Sequence, residues 1–263
     1  MWRAIWVFLT VSLALVSDRT SLPAAEWADL TGRFVYDGKP PARKAIAVTT
    51  DKDYCGKCDL RDEALVVDPA TKGVANVVVW LRLSSGDPAP PIHEAYAKTE
   101  KAVVKLDSTK CHIEPHVCLL RTTQTLLLRN TDPIADGLKI DTISNPAVNI
   151  LLPPAGELRR EFRAPERMPV RVGCPVHPWE SGWLIVREDP YMATSDMTGR
   201  FKLKNLPAGE RTFQFWHEAS GYVSEVKLKG ARVAWRRGRA KIDIKPGVND
   251  LGEIRLAPAL FQK

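Results

Sequence analysis

Short runs of β-branched, leucine and aromatic residues recur along nearly the whole chain, and clusters of Gly, Pro, Asp and Asn separate them. Runs of this kind, bounded by turn residues, are typical of β-strands. Most of the 20 prolines fall between the runs, where turns and strand edges tolerate them. The sequence therefore predicts an all-β protein of the sandwich type. Clear examples are GRFVY (32–36), ANVVVWLRL (75–83), QTLLLRN (124–130), GWLIVRE (182–188) and GRFKLKNL (199–206).

The first 25 residues are predicted to be a secretory signal peptide. Arg3 gives a positive start, a mostly apolar run extends from Ala4 to Val16, and small residues follow at Ala24 and Ala25. The run is shorter than the roughly 20 residues that cross a bilayer. We therefore expect an exported protein, periplasmic or extracellular, with no membrane span in the mature chain. Retention of the segment as an uncleaved anchor stays open.

Charge and motifs narrow the classes of partner and activity. The formal net charge of +7 suits an exported protein that meets an acidic redox partner, anionic lipid or acidic carbohydrate. A nucleic acid partner is not expected in that compartment. The basic stretch WRRGRAKIDIK (235–245) alternates like a strand with one solvated face. No Ser-His-Asp pattern or pair of carboxylates marks a hydrolase, so we expect a protein that is not an enzyme.

The chain has five cysteines, so at least one cannot pair within it. In an oxidising compartment Cys55, Cys58, Cys111 and Cys118 are expected to form two disulfides, whose three connectivities the sequence does not separate. The pair CGKC is followed by Asp59 and so lacks the histidine of a c-type haem site. A four-thiolate zinc site is the alternative, but the compartment favours disulfides.

The fifth cysteine stands in VGCPVHPWESGW (172–183), three residues before His177. A thiolate and an imidazole on one short loop can both point at a single metal ion. The Cys-x-x-His spacing alone is a weak indication, and the thiol at Cys174 is also the natural unpaired one.

Two distant stretches resemble the halves of a carboxypeptidase-regulatory-like (transthyretin-like) β-sandwich. The first is LTGRFVYDGKPPARKAIAV (30–48), and the second is TSDMTGRFKLKNLPAGERTFQFWHEASGY (194–222). More than a hundred residues separate them, and long structureless loops are uncommon in compact domains, so the segment between is expected to be a folded insertion. The predicted organisation is a signal peptide (1–25), a first half (26–99), an inserted domain (100–188) and a second half (189–263).

The inserted segment resembles a cupredoxin. The resemblance rests on CHIEPHVCLLRTTQTLLLRNTDPIADGLKI (111–140) followed by the Cys174 loop, and with EDPYMATSD (188–196) it extends to exported plastocyanin-like proteins of planctomycete type. It implies a Greek-key cupredoxin-like sandwich, copper as cofactor and a redox partner protein. It also implies a Cys55–Cys111 disulfide, with Cys58–Cys118 as the second bond.

The resemblance fails at two ligand positions. Where the family has its first copper histidine this chain has Asp136, and where it has methionine after His-Pro-Trp this chain has Glu180. We expect both carboxylates at the same end of the sandwich as Cys174 and His177, because the two loops leave their strands at that end. His116 is a further candidate ligand, although a hydrogen-bonded core histidine is the commoner role.

Three states of this altered site stay open. It binds copper, with oxygen donors favouring Cu(II); it has changed to another metal such as zinc; or it holds no metal. In the last case the chain is a non-catalytic structural module, or one that binds carbohydrate or protein, with an inert cupredoxin domain. Buried carboxylates are costly without a cation, so their convergence on Cys174 would favour a metal.

Overall fold

The computed structural model describes residues 26–84 and 86–262, and the chain is all-β, as the sequence predicts. The predicted signal peptide, residues 1–25, lies outside the described residues. Among the residues described, no helix is both long enough and apolar enough to span a bilayer.

The described part of the chain contains short helices and many strands. The helices are α1 (Lys52–Cys55) and 3-10 turns at Glu94–Thr99, Arg236–Gly238 and Pro258–Phe261. The strands are β1 (Trp27–Tyr36), β2 (Val78–Leu81), β3 (Val103–Thr109), β4 (His112–Glu114), β5 (Val117–Arg121), β6 (Thr125–Asn130), β7 (Asp136–Ile140), β8 (Val148–Leu152), β9 (Glu157–Glu161), β10 (Val170–Gly173), β11 (Ser181–Arg187), β12 (Met192–Thr194), β13 (Arg200–Pro207), β14 (Gly209–His217), β15 (Gly221–Tyr222), β16 (Glu225–Leu228), β17 (Ala231–Ala234), β18 (Arg239–Ile244) and β19 (Gly247–Leu256).

The two ends of the chain build one pair of sheets, which we call the terminal sandwich. One sheet has the order β13-β1-β19-β16-β17, and the other has the order β12-β2-β14-β15 with β18 paired to β14. Strand β1 lies antiparallel to β13 and parallel to β19. Alternate residues of β1 face the core, where Phe34 contacts Phe201 and Phe215. Gly32 belongs to this face because a Cβ there would lie 2.8 Å from the Phe201 ring.

Strands β3 to β11 build a second pair of sheets, which we call the central sandwich. Their orders are β5-β11-β10-β7-β8 and β4-β3-β6-β9. Leu, Ile and Val side chains of both sheets fill the core, with Phe162 and Cys118 fully buried among them. Because β7 and β10 are antiparallel neighbours, the start of β7 and the end of β10 lie at the same end of this sandwich.

The two sandwiches pack against each other through an apolar cluster and a histidine that faces two carboxylates. Trp183 of the central sandwich contacts Trp216 of the terminal sandwich, with ring centroids 4.7 Å apart. Beside them, His116 Nε2 lies 2.6 Å from Glu218 Oε2, and His116 Nδ1 lies 3.6 Å from Glu63 Oε2. Burial lowers the pKa of His116, but the hydrogen bond to Glu218 and the nearby carboxylate of Glu63 outweigh it and raise the pKa to about 9.

His116→Gln is expected to lower the unfolding free energy by on the order of 2 kcal/mol at pH 6, because it leaves Glu218 largely buried without a cation. The ordinary histidine pKa is 6.5 and the folded value is about 9. The contribution is therefore fully present below pH 6.5 and is lost as pH rises through about 9. Thermal unfolding at pH 6 and pH 10 measures it, with His112→Gln as the more exposed control. An equal effect of His116→Gln at both pH values would contradict this origin.

Residues 45–61, between β1 and β2, form a covering segment over one end of the central sandwich. Its ends pair at Ala45 and Arg61, and it carries α1. Apolar side chains of the segment pack with Cys111, Ile134 and Trp179 of the central sandwich. The predicted Cys55–Cys111 disulfide is present and ties the two parts together.

The predicted second disulfide, Cys58–Cys118, is wrong. Cys58, Cys118 and Cys174 are all free. Cys118 points into the core of the central sandwich from β5, whereas Cys58 lies half-buried in the covering segment outside that core. Burial raises the pKa of the Cys118 thiol to about 12, which makes it unreactive in the folded protein.

Alkylation of the denatured, unreduced protein is therefore expected to label three thiols and to leave the Cys55–Cys111 peptide pair cross-linked. In the folded protein, Cys58 is expected to react before Cys118, because it alone of these two reaches the surface. Peptide mapping by mass spectrometry measures both. Labelling of only one thiol under denaturation would restore the two-disulfide pattern.

Candidate metal centre

Four side chains with metal-binding atoms meet at one end of the central sandwich. Asp136, Cys174, His177 and Glu180 each offer one such atom, and these atoms all lie within 4.8 Å of one another. All four side chains are buried. Asp136 begins β7, and the other three lie on the loop from β10 to β11. The structure thus brings together the four residues that the sequence singled out.

The loop from β10 to β11 is closed by its own backbone. The Cys174 N–H donates to the Glu180 carbonyl at 3.2 Å, and the Glu180 N–H donates to the His177 carbonyl at 2.9 Å. This tight turn aims all three side chains inward. Gly137 completes the fit on the β7 side, since a Cβ there would lie 2.7 Å from Pro175 and 3.5 Å from the Cys174 sulfur.

The sulfur of Cys174 accepts from three backbone N–H groups. They belong to His177 at 3.1 Å, Val176 at 3.3 Å and Gly137 at 3.4 Å. Such an array stabilises a thiolate. Burial and the hydrogen bond to Asp136 act against it and raise the pKa of the Cys174 thiol to about 12. In the metal-free protein Cys174 is consequently a thiol, 2.7 Å from Asp136 Oδ1.

The imidazole of His177 is held from both sides. Its Nε2 lies 2.9 Å from Asp51 Oδ2 of the covering segment. Its Nδ1 faces the other donors, 3.2 Å from Asp136 Oδ1, 3.2 Å from Glu180 Oε1 and 3.7 Å from the Cys174 sulfur. A proton at Nε2 satisfies Asp51 and leaves the Nδ1 lone pair directed into the group, as a metal ligand requires.

The two carboxylates share one hydroxyl. Ser108 of β3 contacts Asp136 Oδ2 and lies 3.0 Å from Glu180 Oε2. The other oxygen of Glu180, Oε1, is buried and has no hydrogen-bond partner, although it lies close to His177 Nδ1. Burial first, and then the neighbouring charge of Asp136, raise the pKa of Glu180 to about 9. Without a cation, Cys174 and Glu180 therefore both stay protonated at neutral pH. Each would have to lose its proton to bind a metal ion.

Some residues of this site were absent from the sequence prediction, and one predicted candidate lies elsewhere. His116 does not belong to the group and pairs with Glu218 instead. Asp51 stands more than 80 residues before its partners, in a stretch without a recognisable motif. Ser108 had a weak signal in the sequence, because it lies two residues after Leu106 and so shares its face of β3, which is the buried face in the structure.

Glu180→Gln is expected to stabilise the metal-free protein at pH 8 by on the order of 3 kcal/mol and to change little at pH 5. The folded pKa of Glu180 is about 9, against the ordinary glutamate value of 4.5. Stability contributed by this carboxyl is therefore complete below pH 4.5 and is lost as pH rises toward 9, whereas glutamine does not titrate. Thermal unfolding of EDTA-treated protein at both pH values measures the difference.

Glu114→Gln, at an exposed position of β4, is the matched control and is expected to leave the pH dependence unchanged. A Glu180→Gln variant that is less stable than the parent at pH 8 would show that the carboxylate is satisfied without a metal.

No family model and no curated protein matches this sequence. Among solved structures, the chain is similar to a copper-containing nitrite reductase from Thermus scotoductus SA-01, at 15% identity over 41% of this chain with a TM-score of 0.30. It covers 25% of that enzyme. It is also similar to a purple cupredoxin from Nitrosopumilus maritimus, at 14% identity over 33% of this chain and 99% of that one, with a TM-score of 0.27. A Cu(I) form of an amicyanin mutant matches at 14% identity over 39% of this chain and 95% of that one, with a TM-score of 0.30. Similarities of this size assign the chain neither a family nor a function.

Proposed function

We propose that this chain is an exported copper-binding protein of the cupredoxin type, with an altered ligand set of Cys174, His177, Asp136 and Glu180. In this proposal it carries electrons and is not an enzyme. Its partner is a redox protein; a carbohydrate is the partner if the site is inert. The inserted position of a cupredoxin domain within a carboxypeptidase-regulatory-like sandwich belongs to the same proposal.

The observation that carries the proposal is the burial of two carboxylates and a thiol around one imidazole nitrogen. Glu180 Oε1 is buried without a hydrogen-bond partner of its own, and two carboxyl oxygens and a sulfur crowd around His177 Nδ1 within 3.7 Å. Isolated buried carboxylates are costly, and a cation among them offsets that cost. One metal ion would satisfy all four side chains at once.

The donor set fits copper. Sulfur and imidazole nitrogen suit copper, while the carboxylate oxygens favour Cu(II) over Cu(I). Copper held by these residues would supply one-electron redox chemistry. The three N–H groups on the Cys174 sulfur support the thiolate that such a ligand must become.

Zinc is the second candidate. Four protein donors make a closed tetrahedral site, which is the usual form of structural zinc, and Cys, His and carboxylates are all zinc ligands. In that case the protein is a binding or structural module without redox activity.

Metal analysis of untagged protein separates these functions. Protein stripped with EDTA is offered Cu(II) or Zn²⁺, dialysed and analysed for metal per chain, and the copper sample is scanned for thiolate-to-copper absorption. We expect one copper per chain with that absorption. Cys174→Ser is expected to abolish the band, and Cys58→Ser, at a free thiol outside the group, is expected to preserve it.

If the protein binds one zinc ion per chain and does not retain copper, the zinc-binding structural function replaces the copper function. Metal-free protein after either treatment would show an inert domain and overturn both metal functions. Copper bound equally by Cys174→Ser would place the metal elsewhere.

A further inference from the structure

We propose that Asp51 is a positioning residue for the metal ion, holding His177 in the tautomer that presents Nδ1 and closing the outer side of the site. This inference rests on the proposed metal binding and adds a residue from outside the four ligands. The geometry that carries it is the contact of Asp51 Oδ2 with His177 Nε2 at 2.9 Å.

On the side of the covering segment, the outer nitrogen of His177 contacts a carboxylate that is itself open to solvent. The His177 side chain is 0% exposed, while the Asp51 side chain is 41% exposed.

Asp51 is fixed in place by its neighbours on the covering segment. The Thr50 hydroxyl donates to the Val176 carbonyl at 3.2 Å, on the ligand loop itself. The Tyr54 hydroxyl donates to Asp132 at 2.8 Å, and Cys55 is bonded to Cys111. These three attachments lie within four residues of Asp51, so its carboxylate has a defined position relative to the ligand loop.

The conformation of Asp51 at the start of α1 leaves its side chain free to contact His177. Asp51 occupies the cap position of α1 but makes no side-chain cap hydrogen bond, and its φ of 46° places it in the left-handed region. An aspartate at such a position ordinarily accepts from the helix N–H groups. Here the carboxylate turns to His177 instead.

The chemistry of this contact is that of a carboxylate, a histidine and a metal in series. A carboxylate that accepts the second N–H of a ligating imidazole fixes the ring orientation and tautomer and raises the basicity of the ligating nitrogen. Loss of such a partner typically costs 10- to 100-fold in metal affinity.

The test uses the full chain with Asp51→Ala and Asp51→Asn, and with Asp53→Ala as the matched control. Asp53 is an exposed acid two residues away with no contact to the group. Cu(II) and Zn²⁺ affinities are measured by chelator competition, and metal release is timed in excess chelator. The tautomer of His177 is read from two-bond ¹H–¹⁵N correlations of the zinc-loaded protein, or of the Cu(I) protein where zinc does not bind.

We expect Asp51→Ala to weaken binding by roughly 10- to 100-fold and to speed release by a similar factor. Asp51→Asn, whose side-chain oxygen accepts the same hydrogen bond, is expected to recover most of the affinity and the Nε2–H signal. Asp53→Ala is expected to match the parent. Circular dichroism and the intact Cys55–Cys111 peptide verify that each variant is folded.

Asp51→Ala with parental affinity and release rate would overturn this inference alone. If Asp51→Asn weakens metal binding as much as Asp51→Ala does, the negative charge of Asp51 matters and the tautomer of His177 does not. That outcome would overturn the positioning role. A parent protein that takes up neither ion would overturn the proposed function and this inference together.

Discussion

Between pH 6 and pH 8 the apparent affinity of the proposed site for a metal ion is expected to rise about 100-fold for each pH unit, because two protons leave when an ion binds. In the folded metal-free protein the pKa of Cys174 is about 12 and that of Glu180 is about 9. Both groups therefore carry protons throughout this range. A metal ligand must be deprotonated, so each displaced proton contributes a factor of 10 per pH unit.

The direction of the effect follows from where the protons are held. Burial is the main cause of both raised values, and the charge of Asp136 adds to each. As the pH rises, fewer protons compete with the ion, and binding tightens. Above about pH 9 Glu180 is already ionised in the metal-free protein, so the slope is expected to fall toward one proton.

Competition with a chelator of known pH dependence, in a non-coordinating buffer, measures the slope. Glu180→Gln is expected to reduce it to about 10-fold per pH unit, because one of the two protons is gone. Glu114→Gln, on the exposed face of β4, is expected to keep the full slope. A parent slope near zero would mean that neither Cys174 nor Glu180 gives up a proton to the metal.

The convergence of the four side chains could be predicted from the sequence, because it depends on one short loop and on which strands are neighbours in the sheet. Cys174, His177 and Glu180 share one short loop, so their proximity needs only a tight turn. Asp136 joins them because β7 lies antiparallel to β10 in the sheet. The position of Asp136 was predicted from the order of the cupredoxin-like motifs along the chain. No local sequence pattern around Asp136 indicates a metal site.

Contacts made by the covering segment could not be predicted in the same way. Asp51 reaches His177 from 126 positions away through a segment that has little regular structure of its own. The side chains that place it, such as Tyr54 on Asp132, are tertiary contacts without a periodic signal. The same limit explains the failed Cys58–Cys118 pairing, because the sequence does not reveal that Cys118 faces a closed core.

His116 was a reasonable candidate for a metal ligand, but it lies outside the group of Asp136, Cys174, His177 and Glu180. It is a partly buried histidine immediately before β5, at a strand end as a ligand would be, but its ring is paired with two carboxylates at the junction of the sandwiches. Neither Glu63 nor Glu218 lies near it in sequence. Such a histidine stabilises an interface by its charge, whereas a ligand histidine must be neutral.

Asp136→His combined with Glu180→Met is expected to convert the site into a trigonal His-Cys-His copper centre with a weak thioether donor, and to produce intense blue absorption. Two hard anionic oxygens are replaced by an imidazole and a soft sulfur, so Cu(I) gains relative to Cu(II) and the reduction potential rises. Absorption, copper per chain and the potential are compared for the parent, each single variant and the double variant. Asp136→His alone is expected to give part of the colour, because it supplies the second imidazole.

Ser108→Ala provides the internal check on this conversion, because its hydroxyl contacts both carboxylates that the double variant removes. In the parent the substitution leaves Asp136 and Glu180 without that shared donor and is expected to weaken metal binding. In the double variant the same substitution is expected to be nearly neutral, since no carboxylate remains to accept. A double variant that binds one copper without blue absorption would mean that position 136 does not stand where the second imidazole must be. Equal effects of Ser108→Ala in both backgrounds would mean that the hydroxyl acts through the packing of β3 and not through the ligands.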